Sequence, residues 1–199
     1  MIIFDLDRTL SDCEHRRHFV DPKKNSNYKR RWDATLDECI NNKCIPEEYI
    51  PVETTKKECL DCTYKKFKPD WQAFYEACDQ DKPILHTVDL YIVLMFDCLK
   101  TERIIPRTIE IWSGRCESVR EKTEEWLCQI GLEWCELKMR PIGDNTSDAQ
   151  LKEKWYDLHN VENPRQNIEF VFESDPKSIE MWRRRGVFVF DVNQSGEEF

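Results

Sequence analysis

The chain opens Met-Ile-Ile-Phe-Asp-Leu-Asp-Arg-Thr-Leu, a short apolar run that stops abruptly at Asp5-x-Asp7-x-Thr9. Ile2-Ile3-Phe4 has the composition of a buried strand. Strand side chains alternate with a period of two, so carboxylates two residues apart at a strand end can converge on one small volume. Two anions that close repel unless a cation lies between them or one stays protonated. The pattern predicts a divalent metal with phosphoryl chemistry at its edge.

Four more strand signals follow, over residues 108–112, 134–139, 168–172 and 186–192. Helical patterns separate them. Residues 117–130 carry apolar Val119, Trp126, Leu127 and Ile130, with Gly131 as the stop. Asp148 caps a helix through Leu151, Trp155 and Leu158. Pro176 opens one through Ile179, Met181 and Trp182, which Gly186 ends. This alternation predicts an α/β fold, a parallel sheet with helices on both faces. Ligands bind such sheets outside the carboxyl ends of the strands. Asp5, Asp7, Ser113, Glu173 and Asp175 all fall at those ends.

The stretch from residue 12 to 107 is too long for one crossover. Residues 71–78 and 88–100 read as helical, with Trp71, Phe74 and Tyr75 as the core face of the first. Residues 21–68 are polar and lysine-rich. The expected organisation is a core of residues 1–20 and 69–199 with residues 21–68 inserted after the first strand, beside the site's mouth. That insertion holds Cys39, Cys44, Cys59 and Cys62 in C-x4-C and C-x2-C spacing. A tetrahedral Zn2+ ion could staple a loop too short to build its own core; reduced, unligated thiols are the alternative.

With 199 residues, 40% hydrophobic and 35% charged, the chain can bury one core and carry an insertion. No run approaches the ~18–20 apolar residues of a membrane span. No export leader precedes the first strand, so a cytoplasmic location is expected. The ten cysteines then read as thiols or metal ligands rather than disulfides. A net charge of −9 argues against a general electrostatic nucleic-acid binder and leaves room for a local basic groove. No stable protein partner can be inferred.

Phosphomonoester hydrolysis through a covalent intermediate needs a carboxylate nucleophile and a neighbouring carboxyl to protonate the leaving oxygen and then deprotonate water. It also needs a magnesium ion to reduce anion repulsion, and hydroxyls, amides and a lysine around the phosphoryl oxygens. Asp5 is the candidate nucleophile and Asp7 the acid/base. Thr9 and Ser113 supply hydroxyls, and Lys152 neutralises the phosphate. Glu173 and Asp175 complete a Mg2+ shell with Asp5 and Asp7.

Asp5-Leu-Asp-Arg-Thr-Leu10, Ser113, Lys152 and the late acidic cluster resemble, in that order, the four motifs of the haloacid dehalogenase (HAD) superfamily of phosphohydrolases. Ser113-Gly-Arg115, Arg140-x-x-Gly143-Asp144 followed by Asp148 and Lys152, and Glu180-Met-Trp-Arg-Arg-Arg-Gly-Val187 resemble the 3′-phosphatase domain of phage polynucleotide kinase. Asp12-x-x-His15-Arg16 and Asp70-Trp71-x-x-Phe74, followed by Cys78 and Asp81, resemble stand-alone phage relatives.

The resemblance implies a HAD-like Rossmannoid three-layer sandwich and a magnesium-dependent phosphatase. It also implies a 3′-phosphorylated nucleotide or nucleic-acid end as substrate, a phage or viral origin, and Gly114, Arg115 and Arg140 as substrate-binding residues. The two arginines could instead pair with carboxylates. The alternatives are a phosphatase for free nucleotides or small metabolites, and a non-catalytic binding module of the same fold. Four positions depart from the pattern: Arg8 replaces the usual glycine, Glu173 and Ser174 an Asp-Asp pair, and Thr146 a basic residue. No phosphate-binding Gly-x-x-x-x-Gly-Lys-Ser/Thr loop occurs.

Overall fold

Ile2 and Phe4 lie in one hydrophobic layer and Ile3 in another, so the first strand has a core on each face. The computed structural model describes residues 1–21, 24, 69–100, 107–133 and 135–193. In chain order the elements are β1 (Ile2–Phe4), β2 (Ser11–Asp12), α1 (Trp71–Glu76), β3 (Lys82–Pro83), α2 (Leu85–Lys100), β4 (Ile109–Cys116), α3 (Arg120–Gln129), β5 (Glu136–Arg140), α4 (Asp148–Glu162), β6 (Phe170–Glu173), α5 (Pro176–Arg184) and β7 (Phe188–Asp191).

Five strands form a parallel sheet in the order β5-β4-β1-β6-β7. Phe4 pairs with Ile111 on one side and Phe172 on the other. The chain winds outward from β1 through β4 to β5, then returns to β6 on the opposite side. The winding reverses beside β1, which opens a crevice at the carboxyl end of that strand.

The layer holding Ile2 and Phe4 includes Val88 and Tyr91 of α2 and Trp126 and Leu127 of α3. The layer holding Ile3 includes Leu151 and Trp155 of α4 and Met181 and Trp182 of α5. Helices therefore cover both faces of the sheet, as the alternating pattern predicts. Gly131 and Gly186 follow the ends of α3 and α5 with φ of 83° and 75°, the left-handed conformation that ends a helix most easily in glycine.

Several boundaries differ from expectation. β4 runs on through Ser113-Gly-Arg to Cys116, because a register shift against β5 absorbs the turn-like residues. α2 begins at Leu85, three residues early. Ser147, not Asp148, is the N-cap of α4: its hydroxyl accepts from the Gln150 amide, and the Gln150 side chain returns the bond to residue 147. Among the described helices none is long and apolar enough to cross a membrane.

The chain divides into two units, Met1–His15 with Tyr75–Phe199, and Arg16–Phe74. Within the second, the Arg16 guanidinium donates to the Phe74 carbonyl oxygen at 3.1 Å and lies 4.1 Å over its ring. Phe74 is buried, whereas Trp71 is 47% exposed, so the expected core face of α1 excludes Trp71. Cys39, Cys44, Cys59 and Cys62 lie outside the described residues.

Candidate active site

At the end of β1 the Asp5 amide donates to the Phe172 carbonyl, carrying the ladder one residue past the strand. The next turn folds back on itself: the amides of Thr9, Leu10 and Ser11 all point at the Leu6 carbonyl. This brings the Thr9 hydroxyl to 3.1 Å from Asp5 Oδ2. Arg8, inside that turn, has φ of 65°. Such a conformation suits glycine better than arginine.

Lys152 joins α4 to the strand ends. Its Nζ lies 2.7 Å from Asp5 Oδ1 and 2.7 Å from Glu173 Oε2. Glu173 Oε1 accepts the amides of Ser174 and Asp175 at 3.0 and 3.2 Å, which aims its other oxygen at the lysine. All three side chains are buried, so two carboxylates face one ammonium out of contact with bulk water. Burial and the Glu173 charge raise the Asp5 pKa well above the ordinary aspartate value, against the opposing pull of Lys152. For Lys152, burial opposes the charge, but Asp5, Glu173 and Asp148 outweigh it and hold its pKa above the usual lysine range.

Asp7, on the next turn, is gripped by Arg115. The guanidinium donates to Asp7 Oδ1 from Nε at 2.9 Å and from Nη2 at 2.5 Å. The Ser113 hydroxyl accepts the Arg115 amide at 3.1 Å, which stabilises the irregular stretch of β4. Between these residues, Gly114 has the Asp148 carboxylate packed where a side chain would be; a methyl group there would overlap it. The Gly114 carbonyl accepts from Arg140 Nε at 2.8 Å and from the Tyr75 hydroxyl at 3.3 Å. Burial pushes the Tyr75 pKa up to about 12, so the phenol remains a donor.

Arg140 also donates to the Thr146 carbonyl at 2.6 Å and pairs with the Asp148 carboxylate. Asp144 Oδ1 accepts the Thr146 amide and hydroxyl at 2.8 and 2.6 Å. The loop leading into α4 is therefore tied to β4 and β5, and α4 carries Lys152 one turn further on.

A profile of the polynucleotide kinase PNKP phosphatase domain matches residues 61–197. The chain belongs to that family. The PNKP phosphatase-domain family is of the HAD class, and the parallel sheet with helices on both faces is the HAD-like Rossmannoid fold. One chain of the Pnkp1/Rnl/Hen1 RNA repair complex is 18% identical to this member, with a TM-score of 0.54; 98% of this chain covers 43% of that one. A second Pnkp1/Rnl/Hen1 complex gives 20% identity and a TM-score of 0.52, with 96% of this chain on 44% of its match. A Clostridium difficile protein described as a candidate phosphatase is 13% identical, with a TM-score of 0.50, and 96% of this chain covers 83% of it. This family member thus spans less than half the length of the matched chains in the two Pnkp1 complexes. No curated protein sequence matches it significantly.

Among the residues expected to form this member's site, the structure brings Asp5, Thr9, Lys152 and Glu173 together through hydrogen bonds. Arg115 and Arg140, left open between phosphate and carboxylate partners, contact carboxylates and carbonyls. The expected four-carboxylate metal shell does not gather: among the described residues no group of three or more Asp, Glu, His or Cys side chains is placed to hold an ion. Asp7 turns to Arg115, and Asp175 Oδ2 caps α5 by accepting the Ser178 amide and hydroxyl at 2.9 and 2.8 Å. Asp81 and Ser11, which contact Arg115, were not among the expected site residues. They meet through the two-residue pairing of β2 with β3, too short to leave a periodic signal.

Proposed function

We propose that this chain is a magnesium-dependent phosphomonoesterase working through an aspartyl-phosphate at Asp5, with the 3′-phosphate of a nucleic-acid end or nucleotide as substrate. The observation that carries the reading is the buried Asp5–Lys152–Glu173 cluster at the carboxyl end of the central strands in a member of the PNKP phosphatase-domain family. An RNA repair complex among the chains of similar fold supports the choice of substrate. The expected core of residues 1–20 and 69–199 with its 21–68 insertion, and a phage or viral origin, belong to the same proposal.

In this reading the Asp5 carboxylate attacks phosphorus and the bond to the leaving oxygen breaks as Asp7 passes it a proton. A water then attacks the acyl phosphate and gives its proton back to Asp7, which releases inorganic phosphate and restores Asp5. Lys152, the Thr9 and Ser113 hydroxyls and the Gly114 amide hold the phosphoryl oxygens as charge spreads over them. Arg115 holds Asp7, and Arg140 holds the loop before α4.

Asp5 and Glu173 fit a Mg2+ ion, since their two buried negative charges face one ammonium. Mg2+ is commonly held by one or two carboxylates together with substrate phosphate and water. When bound it would reduce the repulsion between nucleophile and phosphate.

The net charge of −9 favours a second reading, a phosphatase for mononucleotides or small metabolites. Phosphate release in magnesium separates the two, measured on 3′- and 5′-phosphorylated oligonucleotides and on 3′- and 5′-mononucleotides, with Asp5→Asn as control. Asp5-dependent release selective for the 3′-phosphorylated oligonucleotide supports the first reading. Release from mononucleotides alone supports the second. No release from any of them overturns both nucleotidic substrates.

A further inference from the structure

Arg115 joins two aspartates. Besides its bonds to Asp7, its Nη2 lies 2.5 Å from Asp81 Oδ2 and 2.8 Å from the Ser11 hydroxyl. Ser11 Oγ in turn lies 3.0 Å from Asp7 Oδ1 and 3.0 Å from Asp81 Oδ2. The serine has one hydroxyl proton, so while it accepts from Arg115 it can donate to only one of the two carboxylates at a time. Asp81 is itself held from several sides. His15 Nε2 meets its Oδ1 at 2.9 Å, and the Trp126 indole donates to its carbonyl at 2.8 Å.

We propose that Asp81 is a positioning residue for Asp7, acting through Arg115 and Ser11. The proposal rests on Asp7 being the acid/base. The Asp81 side chain is fully enclosed, so its effect on the reaction passes through these partners. Arg115 is also fully enclosed, and a buried guanidinium with a single carboxylate partner would be drawn toward that partner. Asp7 and Asp81 share Arg115 Nη2 while Asp7 also takes Nε, so Asp81 fixes the guanidinium beside Asp7 and keeps its Nε–Nη2 edge on that carboxylate. Ser11 adds a second tie between the two aspartates, its hydroxyl lying 3.0 Å from Asp7 Oδ1 and 3.0 Å from Asp81 Oδ2.

The test compares esters whose leaving groups differ in their need for a proton. p-Nitrophenyl phosphate releases a stable phenolate, whereas thymidine 3′-monophosphate releases an alkoxide that must be protonated. kcat/KM is read because it reports steps only through departure of the leaving group. With wild type as reference, Asp7→Asn should lose the thymidine ester far more than the nitrophenyl ester. Asp81→Asn should show the same split, with about a 10²-fold loss on the thymidine ester and a small change on the other. Ser11→Ala, which keeps the Arg115–Asp81 pair, should show a weaker split of the same sign and carries the test if Asp81→Asn does not fold. A split in Asp7→Asn with parallel losses on both esters in the other variants overturns the positioning role. No split in Asp7→Asn overturns the acid/base reading and the proposal together.

Discussion

Lys152 donates a 2.7 Å hydrogen bond to Asp5 from 147 residues away in the chain, and both side chains are buried. The contact exists because α4 covers the face of the sheet beside β1 and starts from a loop clamped by Arg140. A lysine so placed offsets the charge of Asp5 and Glu173 before substrate arrives and lies next to the carboxylate proposed to attack phosphorus.

Replacing that ammonium with an apolar chain of similar length isolates its charge. Lys152→Met should lower kcat by about 10²–10³-fold, the usual cost of losing one preorganised electrostatic contact. It also strands two buried carboxylates, so stability should fall by about 3–5 kcal/mol, and kcat must be normalised to the folded fraction from a thermal melt. Lys152→Arg should not restore activity, because a planar guanidinium cannot replace a compact ammonium between two carboxylates. A Lys152→Met enzyme with kcat near wild type contradicts the role.

The raised pKa of Asp5 makes stability depend on pH in chelator. The folded state holds the Asp5 proton at a pH where the unfolded chain has released it, so folding binds a proton in that window. Stability from this group is full below the ordinary aspartate pKa and declines as pH rises through the raised folded value. Asp5→Asn removes that decline. In thermal melts with chelator its gain over wild type should be larger at pH 7 than near pH 3.5. A gain of equal size at both values contradicts the assignment.

Gly114 is required by its neighbour rather than by its backbone angles. A methyl group there would displace the Asp148 carboxylate and with it the Arg140 pair that shapes the loop before Lys152. Gly114→Ala should cost about 1–3 kcal/mol and reduce activity. Removing the obstructing side chain should relieve part of the cost, so Gly114→Ala with Asp148→Ala should be less destabilised than the sum of the two. Chemical denaturation of the four proteins checks this; strict additivity would sink it.

Arg8 occupies a left-handed backbone position and donates to Asn193 at 3.2 Å. Arg8→Ala keeps the strained φ and loses the bond, whereas Arg8→Gly loses the bond and relieves the strain. The glycine variant should be more stable than the alanine variant by about 1 kcal/mol. Equal denaturation midpoints would contradict this.

The sheet, its helices and most of the candidate cluster were legible because they rest on local signals. Ile2-Ile3-Phe4 needs both faces covered, and Asp5, Ser113 and Glu173 follow apolar runs whose ends share one edge. The fates of Asp7 and Asp175 were harder to read, since a carboxylate near a proposed metal and one capping a helix or pairing with arginine look alike in sequence. Asp175 precedes Pro176, and that N-cap position engages one of its oxygens. Asp81 reaches Ser11 through β2 and β3, whose pairing joins residues about 70 positions apart with only two residues per strand. Ser113-Gly-Arg reads as a turn, yet β4 continues through it because β5 tolerates the register shift.

The central claim is that phosphate is carried on Asp5. The most direct measurement is to mix enzyme, magnesium and substrate, quench within the first turnover, reduce with borohydride and analyse the N-terminal peptide by mass spectrometry. An acyl phosphate is reduced to an alcohol, so the account predicts homoserine at position 5, dependent on substrate and magnesium. An unmodified Asp5 in an enzyme shown to be turning over, or reduction at another carboxylate, would contradict it.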